Sequence, residues 1–234
     1  MKKEEKRHLI TAGNPKSPVA EAYRTLRTNI HFSGLDTPYR SIMVTSAGPG
    51  EGKSTTVANL GVAMAQAGMK VILVDCDLRK PVQHKIFELP NIKGVTNVLV
   101  EQLQLEDIIH PTRVENLFLL TSGPIPPNPS ELLSSDRMKS LVESLKTLFD
   151  IVLFDAPPAI AVTDAALLSS RVDGVILVLR SGTAKIDMAK QAKDQIEKAN
   201  GKFIGSVLYG VSYSGEDYQY YNYYGEKKGR KKNA

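Results

Sequence analysis

The sequence predicts an α/β domain in which a mostly parallel β-sheet is covered by helices on both faces. Six short runs rich in β-branched residues and leucine, at 41–46, 70–75, 116–121, 151–155, 174–180 and 203–208, are nearly continuous in apolar character. That is the pattern of strands buried on both faces, not the alternation of a half-exposed sheet. Helix-length segments separate several of these runs, and strands alternating with helices close most simply into a parallel sheet.

Residues 1–17 form a charged, polar entry that is expected to be flexible. Residues 19–32 contain neither Gly nor Pro and place Tyr23, Leu26 and Ile30 at helical spacing, the signature of an amphipathic helix. The strand at 41–46 leads into a helix at 54–67 that Gly68 closes. From Gly123 to Pro129 the chain carries four prolines; proline lacks an amide donor and restricts its predecessor, so this stretch is a loop. Segment 130–148 opens on a serine cap and reads as one helix, and 183–199, closed by Gly201, as another. Beyond Leu208 the aliphatics give way to Ser, Gly, Glu, Asp, Gln, Asn and tyrosines. The reading is a domain at 18–210 and a disordered tail at 211–234.

With 234 residues, 42% of them hydrophobic, there is enough apolar material for one sizeable core. No apolar run nears the roughly 20 residues of a membrane-spanning helix, and the charged start has no apolar stretch behind it, so a cytoplasmic protein is expected. Cys76 is the single cysteine; within an apolar run it reads as a reduced core residue. The net charge of +5 gathers at the ends, in Lys2, Lys3, Lys6 and Arg7 and in Lys227, Lys228, Arg230, Lys231 and Lys232. Such runs are usually solvated tails. No aromatic and basic signature of RNA binding accompanies them, and nucleic acid is not an expected partner.

The chemistry concentrates in Ala47-Gly48-Pro49-Gly50-Glu51-Gly52-Lys53-Ser54. This run follows a predicted strand and opens a predicted helix, the setting a Walker A phosphate-binding loop requires. Small residues let backbone N–H groups curl around phosphates, and the helix start adds its positive dipole end. Lys53 brings a charge, and the Ser54 hydroxyl can ligate Mg²⁺. Gly48, Pro49, Gly50, Glu51, Gly52, Lys53, Ser54 and Thr55 are therefore the expected ATP contacts; Ala47 stands where the usual pattern has Gly. Two apolar runs end in carboxylates, one at Asp75 with Asp77 just beyond, the other at Asp155. Ligands of such sheets gather beyond the carboxyl ends of the strands, so Asp75, Asp77 and Asp155 are expected, with Ser54, around one Mg²⁺·ATP. Each carboxylate alone could serve as a strand-end turn or helix cap. Their joint appearance beside the loop points to a site, and Asp77 is suited to accept the proton of an attacking hydroxyl.

The run Leu73-Val74-Asp75-Cys76-Asp77-Leu78-Arg79-Lys80-Pro81, the Walker loop, Asp155-Ala156-Pro157-Pro158 and Glu21-Ala22-Tyr23-Arg24-Thr25-Leu26-Arg27 together resemble the bacterial tyrosine kinases that govern capsule and exopolysaccharide synthesis. The resemblance covers nearly the whole chain. It implies a P-loop NTPase fold and ATP-dependent phosphorylation of tyrosine, with catalytic roles for Lys53, Asp75, Asp77 and Asp155. In that family the acidic doublet is the Walker A-prime motif and the later Asp is Walker B. The resemblance further implies that Glu21, Arg24 and Arg27 join subunits into a ring, and that Tyr218, Tyr220, Tyr221, Tyr223 and Tyr224 are acceptors phosphorylated by neighbouring subunits. A partner is implied as well: in Gram-positive members the cytoplasmic end of a membrane adaptor of the polysaccharide chain-length type activates the kinase, which it would hold at the inner face of the membrane. Other proteins phosphorylated on tyrosine are implied substrates. Tyr209 departs from relatives in this P-loop group that carry an adenine-reading Asn.

A rival reading is a partition or septum-positioning ATPase of the same group. Those switches carry a second lysine early in the loop, and the matching position here is Gly48. A non-enzymatic, nucleotide-binding scaffold is disfavoured by the intact set of Lys53, Ser54, Asp77 and Asp155. The tail tyrosines alternate with polar residues, which suits accessible acceptors better than core packing. Without the resemblance, Glu21, Arg24 and Arg27 would read as a solvated helix face with weak local ion pairs.

Overall fold

The structure, a computed structural model, describes residues 9–101 and 103–212. Tyr218, Tyr220, Tyr221, Tyr223 and Tyr224 lie outside the described residues, as does nearly all of the predicted tail. The strands are β1 Ser41–Ser46, β2 Val71–Asp75, β3 Ile109–Pro111, β4 Leu117–Leu120, β5 Ile151–Asp155, β6 Gly174–Arg180 and β7 Phe203–Tyr209. They form one sheet in the order β3-β4-β2-β5-β1-β6-β7. Every neighbouring pair is parallel except β3 with β4. The helices are α1 Ile10–Gly13, α2 Pro18–Ser33, α3 Lys53–Ala65, α4 Gln83–Ile86, α5 Val95–Glu101, α6 Pro129–Ser134, α7 Asp136–Leu148, α8 Asp164–Ser169 and α9 Ile186–Lys198.

Alternate strand residues serve two cores. Ile42, Val44, Leu73 and Leu153 pack with Ile30 of α2 and with Val57, Leu60 and Met64 of α3. Met43, Ile72, Val74, Val152 and Phe154 pack on the opposite face with Leu141 and Leu145 of α7, Leu168 of α8 and Ile196 of α9. Because both faces are covered, the strand interiors are apolar on both sides, which explains the nearly continuous apolar runs, and the buried Thr45 and Ser46 at the end of β1 hydrogen-bond the Pro157 and Gly48 carbonyls. The P-loop NTPase arrangement expected from the sequence is the one observed. After β1 the chain passes to β2 on one side; after β5 it crosses to β6 on the other. The crevice at the carboxyl end of β1 lies at this reversal, where α/β sheets bind ligands.

Three differences from the sequence reading have physical causes. Segment 130–148 is two helices, because Ser135 adopts an extended backbone (φ −66, ψ 157) and its hydroxyl accepts from the Met138 amide, starting α7 afresh. The entry segment, expected to be flexible through residue 17, contains α1, whose Thr11 is buried and donates its amide to Asn59 Oδ1 at 3.0 Å. The short antiparallel β3 and the short helices α4, α5 and α8 were not foreseen, since elements of 3 to 7 residues span too few turns to show a period.

Candidate active site

The loop between β1 and α3 is shaped by glycine. Gly50 and Gly52 hold φ of 78° and 95°, in the left-handed region that glycine adopts without strain. Gly52 caps α3, and a Cβ there would come within 2.5 Å of the Tyr209 ring. Side chains brace the loop from within: Ser46 Oγ donates to the Gly48 carbonyl at 2.7 Å, the Ala47 amide donates to Glu51 Oε2 at 3.0 Å, and Arg180 donates to the Gly50 carbonyl at 3.2 Å. Glu51, expected as a nucleotide contact, is thus also a strut that spans the loop.

The register of the sheet sets Asp75 opposite Asp155 on adjacent parallel strands. Lys53 reaches back over them: its Nζ donates to Asp77 Oδ2 at 2.8 Å, to Asp155 Oδ1 at 3.3 Å and to Ser54 Oγ at 3.2 Å. The fold therefore assembles Lys53, Ser54, Asp75, Asp77 and Asp155 in one place. Asp75 holds the segment after β2, since its Oδ2 accepts from the amides of Val82 and Gln83 and its Oδ1 from that of Asp77. Asp77 Oδ1 accepts from the Lys80 amide at 3.0 Å. Burial drives the Asp75 pKa up to about 7, reinforced by the Asp155 charge and opposed by the Gln83 amide and Lys53. Burial works to lower the Lys53 pKa, but Asp155 and Asp77 outweigh it and the ammonium is held above its usual value.

Among the described residues no three His, Cys, Asp or Glu side chains form a cation cage. The carboxylates at Asp75, Asp77 and Asp155 are already engaged by amides and by Lys53. The donor set still fits Mg²⁺, which keeps several waters and relies on one or two protein oxygens plus substrate phosphates. Ser54, Asp75, Asp77 and Asp155 are the oxygen donors that would hold such a hydrated ion.

Sequence reasoning missed two side chains. Gln83 is fully buried, and its Nε2 donates to Asp155 Oδ2 at 2.7 Å and to the Ser54 carbonyl at 3.1 Å. Asp164, also fully buried, accepts two bonds from Arg79, at 2.9 and 3.0 Å, and one from Ser130 Oγ. Arg79 thereby clamps the segment carrying Asp77 to α8. No spacing marks either residue in the sequence, because only the tertiary fold brings them to the strand ends. Along the segment that follows Asp77 opens a cleft of about 550 Å³ lined by Arg79, Lys80, His84 and Lys85, with Pro124 and Ile125 among its other walls. Burial and the neighbouring Lys85 push the His84 pKa down.

The Glu21, Arg24 and Arg27 stripe lies on α2, and each member has an internal partner. Arg24 pairs with Glu21 at 2.7 Å and donates to the Pro15 carbonyl, while Arg27 donates to the Ala63 carbonyl near the end of α3 at 2.9 Å.

Comparison with known proteins decides what family this geometry serves. An AAA domain family model matches residues 39–202. Tyrosine-protein kinase YwqD of Bacillus subtilis (strain 168) is 46% identical over 94% of this chain and 92% of its own. The chain belongs to the tyrosine-protein kinase family. Tyrosine-protein kinase CpsD of Streptococcus agalactiae is 39% identical to this kinase over 91% of its chain and 92% of the relative's. Among solved structures, the chimerical protein CapA2B2 matches the kinase with a TM-score of 0.82 and 46% identity, covering 86% of this chain and 88% of that one. The rival class is more distant: the septum site-determining protein MinD of Pyrococcus horikoshii OT3, complexed with Mg-ADP, gives a TM-score of 0.62 at 27% identity, covering 78% and 76%. The kinase is thus a P-loop enzyme of nucleotide-binding type. None of its described helices is long and apolar enough to cross a membrane.

Proposed function

We propose that this tyrosine-protein kinase binds ATP·Mg²⁺ on the 47–55 loop and transfers the γ-phosphoryl group to the tyrosines of a second copy's C-terminal tail. The observation that carries this reading is Lys53 suspended between Asp77 and Asp155 at the mouth of the loop. Incoming phosphates compete for the ammonium, which draws Lys53 off Asp77 and leaves that carboxylate free to act as a base. Ser54, with Asp155 and Asp75, would hold Mg²⁺, which would neutralise charge on the phosphates when bound. The tail phenol, of pKa about 10 and so protonated at neutral pH, gives its proton to Asp77 as its oxygen bonds to the γ-phosphorus and the bridging P–O bond to ADP breaks.

Charge favours an approach of the acceptor along the cleft that the segment after Asp77 lines. Its cations Lys80 and Lys85 make no ion pair among the described residues, and in the tail Glu216 and Asp217 immediately precede Tyr218. Each phosphotyrosine then adds nearly two negative charges, so the product tail changes its fit to the neighbour. Glu21, Arg24 and Arg27 are proposed as the contact between copies, in a ring-like homo-oligomer. The family resemblance supports a membrane adaptor as activator and a role in capsule or exopolysaccharide synthesis. Incubation with ATP and Mg²⁺ followed by intact-mass and phosphotyrosine measurement tests the core of this reading: mass should rise in steps of one phosphate, all of it on the 218–224 segment.

A further inference from the structure

We propose that Gln83 is an outer-shell ligand of the nucleotide-bound Mg²⁺, its side-chain carbonyl accepting a hydrogen bond from a metal-bound water. This rests on the reading that Mg²⁺·nucleotide occupies the 47–55 loop. The orientation of the amide is determined by its neighbours. Asp155 Oδ2 at 2.7 Å and the Ser54 carbonyl at 3.1 Å are both acceptors, so the end facing them must be the NH₂ group and the other end the oxygen. That oxygen is buried and has no donor among the described residues. Buried acceptors left unpaired are rare in folded proteins, because their lost hydration is not replaced.

The nearby donors that bind the site's carboxylates are already committed. Lys53 serves Asp77 and Asp155, and the amides of Val82 and Gln83 serve Asp75. The missing donor therefore comes from outside the described residues. A metal-bound water is the strongest neutral candidate, since the cation polarises its O–H bonds, and Mg²⁺ retains several such waters. Gln83 is built into the right place: its amide holds the backbone of Ser54, the residue whose hydroxyl would ligate the metal, and the carboxylate of Asp155. A neutral acceptor also suits a site already carrying Asp75, Asp77 and Asp155, where a fourth carboxylate would add repulsion.

The test is titration of a fluorescent ADP analogue into the full chain, with Mg²⁺ and with EDTA. In wild type, Mg²⁺ should tighten binding. Gln83→Met should bind the analogue in EDTA within about twofold of wild type and lose about tenfold or more of the Mg²⁺-dependent gain, the usual scale for outer-shell metal contacts. An unchanged Mg²⁺ dependence in Gln83→Met overturns the proposal. Should Gln83→Met fail to fold, Gln83→Asn, which withdraws the same chemistry by one methylene, is read in the same way. A wild type without any Mg²⁺ gain would instead sink the metal reading on which this inference stands.

Discussion

Lys53 Nζ lies 2.8 Å from Asp77 Oδ2, so the residue proposed to neutralise phosphate is paired directly with the residue proposed to accept the proton. Both are largely buried, with side chains 11% and 7% exposed. Nucleotide binding and base activation are in this way one event, and the pair sets the first prediction. Lys53→Met should abolish autophosphorylation, since one charged transition-state contact is worth orders of magnitude in rate. It should also lower stability by up to about 3 kcal/mol at neutral pH, because Asp77 and Asp155 lose their buried counter-ion. Phosphotyrosine blotting and thermal unfolding read the two effects; a near wild-type phosphotyrosine signal would remove Lys53 from the mechanism.

Asp75 predicts a pH dependence. Its folded pKa of about 7 stands above the ordinary value of 3.8, so the folded protein binds more protons than the unfolded chain between these values. Its contribution to stability is complete below about pH 4 and is lost as pH rises through 7, with a slope of at most about 1.4 kcal/mol per pH unit. Asp75→Asn should flatten the decline in the melting temperature of the nucleotide-free kinase between pH 5 and 8, while losing activity. An identical pH profile in the variant would show that Asp75 is ionised throughout.

The cleft predicts a charge swap. Lys80→Glu with Lys85→Glu should raise the KM for a tail peptide spanning 214–226 about tenfold or more with little change in ATP affinity, as expected for complementary charges at a docking surface. A peptide with Glu216→Lys and Asp217→Lys should recover much of that loss on the reversed enzyme and bind poorly to wild type. Equal use of both peptides by both enzymes would dismiss the cleft as the acceptor path.

The α2 stripe predicts separable effects on assembly and folding. Glu21→Ala and Arg24→Ala together should change stability by no more than about 0.5 kcal/mol, because an exposed i,i+3 pair contributes little, yet they should dissociate the oligomer in sedimentation velocity. Arg27→Ala should additionally cost about 1 kcal/mol through its lost bond to the Ala63 carbonyl. An oligomer unaltered by all three changes returns these residues to an ordinary helix surface.

Changing Tyr218, Tyr220, Tyr221, Tyr223 and Tyr224 to Phe removes the proposed acceptor hydroxyls and keeps the aromatic bulk. ATP binding and the melting temperature should persist and autophosphorylation should cease. Mixed with Lys53→Met protein, the all-Phe enzyme should phosphorylate only the Lys53→Met tail. Phosphate incorporated by the all-Phe protein alone would place acceptors elsewhere, and no transfer in a co-assembled mixture would argue for reaction within one chain.

The sequence alone determined the sheet core and the position of the phosphate loop. Strands β1, β5 and β6 were legible to the residue, because full burial on both faces demands unbroken apolar runs that end where polar chemistry begins. The loop was legible because its glycines and Lys53 act within a few residues of each other along the chain. What only tertiary structure decided are relations across the sheet. The break at Ser135 is a separate, local case, a hydroxyl competing for an amide that a continuous helix would otherwise leave to the backbone. Gln83 and Asp164 carry no local signal, since their partners lie 72 and 85 residues away in sequence. Likewise a Walker lysine gives no hint that it will be buried between two carboxylates. That pairing follows from the parallel register of β2 and β5, which sets Asp75 against Asp155 and leaves Lys53 as the cation placed to balance them.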